Sequence, residues 1–94
     1  MLQIELSDPH VIRLSGWLDA SQVPAAESTF EAISTSHVVD FEKLEYISSA
    51  GLGLLLSTQQ RLSSSGHQIR LVNLSPHIKN VFVCAGFDTI FEIA

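Results

Sequence analysis

The sequence predicts a single α/β domain in which three main helices pack on a mixed sheet that begins with an antiparallel hairpin. Three observations carry this reading. Apolar residues alternate with polar ones near the start, short β-branched runs then alternate with stretches of helical spacing, and capping or turn residues mark the junctions. Ninety-four residues suit one compact core, and no internal repeat or linker interrupts them.

Leu2, Ile4 and Leu6 alternate with Gln3 and Glu5, the period of a half-buried strand. Asp8-Pro9-His10 reads as a turn, and Val11 to Trp17 as the returning strand of an antiparallel hairpin. Ser21 is a candidate N-cap with Pro24 in the first turn, and Val23, Ala26, Phe30 and Ile33 share one face of a helix over residues 22–33. His37-Val38-Val39-Asp40-Phe41 has the composition of a strand buried on both faces, followed by a polar connection from Glu42 to Glu45.

Leu52, Leu55, Leu56 and Leu62 place a second helix between Ala50 and Ser64, stopped by Gly66. Ile69, Leu71 and Val72 form another strand. Ser75-Pro76 then opens a third helix in the cap-then-proline order, with Ile78, Val81, Phe82 and Ala85 facing the core. Gly86 ends it, and Thr89 to Ile93 make a last short strand. Strands that alternate with helices require right-handed crossovers and parallel pairing, so the hairpin makes the sheet mixed.

Composition narrows the function classes. Ten acids against five bases give a net charge of −5, with no basic stripe for a phosphate backbone, so nucleic acid is not an expected partner. One cysteine, Cys84, excludes an intrachain disulfide and fits a reducing cytoplasm; its apolar neighbours predict core filler. No apolar run approaches the roughly 20 residues that span a bilayer, so no membrane contact is expected. Met-Leu-Gln-Ile-Glu lacks the basic start of a signal peptide, so export by that route is not expected either. His10, His37, His67 and His77 show no metal-ligand spacing. With no base–nucleophile pair, metal set or phosphate-binding glycine motif, neither an enzyme nor a bound cofactor is expected.

In open α/β sheets, function gathers at the carboxyl ends of strands. One such loop reads Tyr46-Ile47-Ser48-Ser49-Ala50-Gly51-Leu52-Gly53. Either serine can cap the helix: Ser49 would reach the N–H of Leu52, and Ser48 that of Gly51. Gly51 and Gly53 each cost up to about 1 kcal/mol in a helix interior. Close approach of another backbone, from a neighbouring strand or a docking partner, would account for them. Leu52 and Leu55 fall on the core face, Leu54 is the better candidate for an exposed partner contact, and Tyr46 could take either role.

From Gly16 onward the chain resembles the anti-sigma factor antagonists, small bacterial members of the sulfate-transporter and anti-sigma-antagonist (STAS) domain group. The matching pieces are Gly16-Trp17-Leu18-Asp19-Ala20, Val38-Val39-Asp40-Phe41, Tyr46 through Leu55, Arg70-Leu71-Val72-Asn73 and Ala85-Gly86-Phe87-Asp88. They run in order, without extra domains, so residues 1–94 are read as one STAS-like domain.

The resemblance implies a partner-switching cycle. The serine that a partner kinase phosphorylates falls on Ser49, with Ser48 as runner-up, standing where the common family form has an aspartate. Unphosphorylated protein would bind an anti-sigma factor that is itself a serine/threonine kinase and so free a sigma factor. Phosphorylation would end binding, and a PP2C-type phosphatase would restore it. Asp19 matches an acidic family position near the partner surface, although a turn acid before the first helix is an equal reading. The partner-binding set is therefore Asp19, Ser48, Ser49, Gly51 and Leu54, with Asp40 supporting the Ser49 loop. A monomer is the default expectation. The alternative is a non-switching STAS subunit of a lipid-transport or stress-sensing assembly.

Overall fold

The computed structural model describes residues 2–94, apart from the side chains of Ser7 and Asp8. Strands β1 (Leu2–Asp8) and β2 (Val11–Leu18) pair antiparallel across the Pro9-His10 turn, with Leu2 opposite Gly16 and Leu6 opposite Ile12. Helix α1 (Val23–Ala32), strand β3 (His37–Ile47), helix α2 (Ser49–Ser63), strand β4 (Ile69–Val72), helix α3 (Pro76–Cys84) and strand β5 (Glu92–Ile93) follow. The five strands lie side by side in chain order, and every pair after the hairpin is parallel. Because each crossover advances in the same direction, right-handed connections put all three helices on one face and leave the other to solvent.

The buried side chains agree with that layering. Ile12, Leu14, Leu18, Val39, Phe41, Leu44, Ile47, Ile69 and Leu71 from the sheet meet Ala26 and Phe30 of α1, Leu52, Leu55 and Leu62 of α2, and Ile78 and Phe82 of α3. Phe82 sits edge-on to both Phe41 and Phe91, with ring centroids 5.9 and 5.6 Å away, an arrangement that adds to simple burial. Ser75 caps α3 by accepting the Ile78 N–H at 3.2 Å, as the Ser-Pro pair predicts. Gly66, at φ +79°, lets the His67 N–H return to the Leu62 carbonyl at 2.9 Å and so ends α2.

Several expectations are corrected. The polar segment Glu42 to Glu45 is no connection; it belongs to β3, which continues to Ile47. Two bulges against β2 each insert an extra polar residue, so the inward positions are Val39, Phe41, Leu44 and Ile47 and simple alternation is lost. Ser21 does not cap α1, which starts from Gln22 with no side-chain cap. The last strand shrinks to two residues because a 3-10 turn occupies Phe87–Thr89. Cys84 is exposed, since α3 turns only Ile78 and Phe82 fully inward. Asp40 lies within β3, where Val72 at the end of β4 pairs with it. Its carboxylate accepts the Glu42 N–H at 2.9 Å and the Asn73 side-chain amide at 3.1 Å, and it pairs with Arg13 at 3.7 Å. Asp40 therefore steadies a bulge and the loop after β4, not the Ser49 loop.

One long-range contact ties two helices together. Arg61 in the last turn of α2 donates to the Phe30 carbonyl at 2.7 Å and the Ile33 carbonyl at 2.8 Å, satisfying the end of α1, which has no base of its own there. Hydrogen bonds from a charged group contribute about 1.5–3 kcal/mol each at most, so Arg61→Ala should lose roughly 2 kcal/mol in urea unfolding. Arg61→Lys should recover only part of it, because one ammonium cannot match the planar fork. Wild-type stability in Arg61→Ala would show the contact to be incidental.

Candidate functional site

The site lies where β2 and β3 end together and α2 begins. Ser48 follows Ile47 in extended conformation, with φ −94° and ψ 173°, the geometry of an N-cap. Its hydroxyl accepts the Gly51 N–H at 3.4 Å and donates to the Leu18 carbonyl at 3.4 Å, while its own N–H donates to that carbonyl at 2.9 Å. Ser48 is thus the half-buried cap that fastens α2 to the end of β2. Ser49 is the first helical residue and is exposed.

This division of labour resolves the choice between two adjacent serines that spacing leaves open. Because Ser48 takes the capping role, the Ser49 hydroxyl stands at the helix start, where backbone N–H groups lack helical acceptors and the helix dipole is positive. No acidic residue lies in the first turn of α2. An added anion at Ser49 meets favourable local electrostatics.

Gly51 is buried, and a Cβ there would stand 2.8 Å from both the Leu18 carbonyl oxygen and Leu18 Cγ, and 2.9 Å from Ile47 Cγ1. The backbone that approaches it closely is therefore the neighbouring strand, one of the two explanations that the sequence leaves open. Gly53 has nothing within 4 Å of a built Cβ and is exposed one turn beyond Ser49. Leu54, expected to be exposed, retains only 7% of its surface. The reason is that α2 is covered on two sides: the sheet takes Leu52 and Leu55, while Leu54 lines the groove shared with Glu27 and Glu31 of α1.

Asp19 follows Leu18 and is half-buried. Its carboxylate accepts the Ser21 hydroxyl at 2.6 Å and the Ser21 N–H at 3.0 Å. The Ser21 hydroxyl holds the Asp19 carboxyl below the usual carboxylate range, helped by backbone N–H groups and opposed by partial burial. Asp19 therefore shapes the turn before α1 as a charged group, one residue from the carbonyl that anchors Ser48. Structure thus gathers Asp19, Ser48 and Ser49 and turns Gly51 and Leu54 inward.

Sequence reasoning assigned no role to Trp17. It is half exposed beside Tyr46, its partner in the β2–β3 register, whereas Leu18 and Ile47 of the next pair are buried. The signal was available: Ile12, Leu14 and Leu18 are in phase along β2, and Trp17 is out of phase with them.

Among the described residues, no three of His, Cys, Asp and Glu come together to hold a metal ion, and no helix is long and apolar enough to cross a membrane.

A family model described as "Mlab, STAS domain" matches residues 2–92. The chain belongs to the STAS domain family. This STAS domain is 40% identical over 57 residues to BtrV of Bordetella bronchiseptica, which is named provisionally as an anti-sigma factor antagonist; that match spans 61% of the chain but only 49% of BtrV. An anti-sigma F factor antagonist of Lysinibacillus sphaericus is 31% identical over 90 residues, covering 90% of this domain and 77% of the relative. Among solved structures, the anti-sigma factor antagonist SpoIIAA in its unphosphorylated form superposes with a TM-score of 0.79 at 29% identity, over 100% of this chain and 88% of that one. SpoIIAA of Bacillus in its phosphorylated form matches with a TM-score of 0.65 at 28% identity, over 100% and 91%.

Proposed function

We propose that this domain is an anti-sigma factor antagonist whose Ser49 hydroxyl switches binding to an anti-sigma factor serine/threonine kinase. The observation that carries the reading is the separation of the two serines. Ser48 is committed to the cap, and Ser49 is exposed at a helix start free of carboxylates. The names of its relatives, and the two forms in which SpoIIAA has been solved, support the same role.

In this reading the unphosphorylated surface docks on the kinase and frees the sigma factor. Phosphate adds about −1.5 to −2 charge at a position where the helix dipole tolerates it, so the fold persists. The docked partner then faces a dianion where it had buried a neutral hydroxyl, and binding is lost. A PP2C-type phosphatase resets the cycle in the cytoplasm. The domain supplies no catalysis; ATP and its metal belong to the kinase.

Incubation with each kinase-type anti-sigma factor of the same genome and ATP, followed by mass spectrometry, should place one phosphate on Ser49. Phosphate on Ser48 would contradict the capping argument. Absence of phosphate from both serines with every candidate would sink the switch and leave an assembly subunit of the same fold.

A further inference from the structure

We infer that Trp17 and Tyr46 form an anchor for the same anti-sigma partner, on the helix-free face beside the switch; this rests on the function proposed above. The two residues are register partners at the carboxyl ends of adjacent parallel strands, so their side chains share one face. Trp17 keeps 50% of its surface exposed and Tyr46 47%. Further down that face the rows are polar, with Ser15 beside Lys43 and Arg13 paired to Asp40, so the aromatic pair is a local apolar patch and no extension of the core.

Its position ties it to the switch. Trp17 precedes Leu18, whose carbonyl holds Ser48, and Tyr46 stands three residues before Ser49. Both rings therefore lie at the same carboxyl end of the sheet as Ser49. The chemistry of the occupant follows from the flanks. Asp19, two residues after Trp17, is a carboxylate held by its Ser21 contacts, and the exposed bulge residue Glu45 directly precedes Tyr46. Aromatic faces edged by carboxylates suit an arginine, whose guanidinium stacks on the rings while pairing with an acid. Exposed Trp and Tyr are also the side chains that most often dominate binding energy once desolvated.

Trp17 is the single tryptophan, so it reports on its own surroundings. With the unmodified protein and the anti-sigma factor that phosphorylates Ser49, or a tryptophan-free version of it, binding should shift Trp17 emission to the blue and protect it from acrylamide. The Trp17→Ala and Tyr46→Ala double variant should bind at least about tenfold more weakly by calorimetry. Unchanged emission and quenching on binding, together with double-variant affinity within about twofold of wild type, would overturn the anchor while leaving the Ser49 switch intact. Failure of every anti-sigma factor to bind the wild-type protein would overturn both.

Discussion

Ser49→Asp should bind the anti-sigma partner at least about tenfold more weakly than wild type, a loss of about 1.4 kcal/mol or more, while Ser49→Ala keeps wild-type affinity. A carboxylate carries less charge than a phosphate, so full phosphorylation should weaken binding further than the variant does. Stability should move the opposite way. An acid at the start of α2, where the first turn has none, gains about 0.3–1 kcal/mol from the helix dipole. Weaker binding by a more stable protein cannot be assigned to unfolding. Calorimetric titration beside urea unfolding reads both quantities; equal affinity of the Asp and Ala variants would leave Ser49 a surface residue of the helix start. Ser48→Ala supplies the contrast, with its cap lost at a cost of about 0.5–2 kcal/mol.

Gly51→Ala should be among the most damaging small substitutions in the domain. The new methyl would meet the Leu18 carbonyl oxygen at 2.8 Å, and that carbonyl also accepts the Ser48 N–H. Relief of the clash therefore requires α2 to lift from β2 and the cap to loosen. Overpacking of this kind costs about 1–3 kcal/mol, to which part of the cap is added. Gly53→Ala, two residues on, has open space around the methyl and gains up to about 1 kcal/mol from helix preference. One substitution should thus have opposite signs at neighbouring glycines in urea unfolding. A Gly51→Ala protein as stable as wild type would refute the close-packing account.

How much of this was legible beforehand depends on whether a feature is local. Ser75-Pro76 announced α3 because cap and proline act within one turn. The β1–β2 hairpin and the order of elements followed from alternation and helical spacing. Bulged β3 did not, because Glu42, Lys43, Glu45 and Tyr46 imitate a polar loop unless the partner strand that absorbs the extra residues is known. Leu54 was misjudged for a similar reason: helical periodicity identifies the sheet-facing stripe, and only the placement of α1 shows that a second side of α2 is covered. At the site, the sequence and its family resemblance single out Asp19, Ser48 and Ser49 as candidates, but which serine caps required the position of the Leu18 carbonyl.

The pairing of β3 has a wider consequence. Val38, Val39 and Asp40 near its start are held between β2 and β4, whereas from Phe41 to Ile47 it is bridged on the β2 side alone. Those last residues form a cantilever that carries the serine loop out past β4. Inward side chains Phe41, Leu44 and Ile47 root the beam, and the outward ones, Glu42, Lys43, Glu45 and Tyr46, answer to no neighbouring strand on the far side. Substitution can therefore rewrite those outward positions without renegotiating the packing on which folding depends.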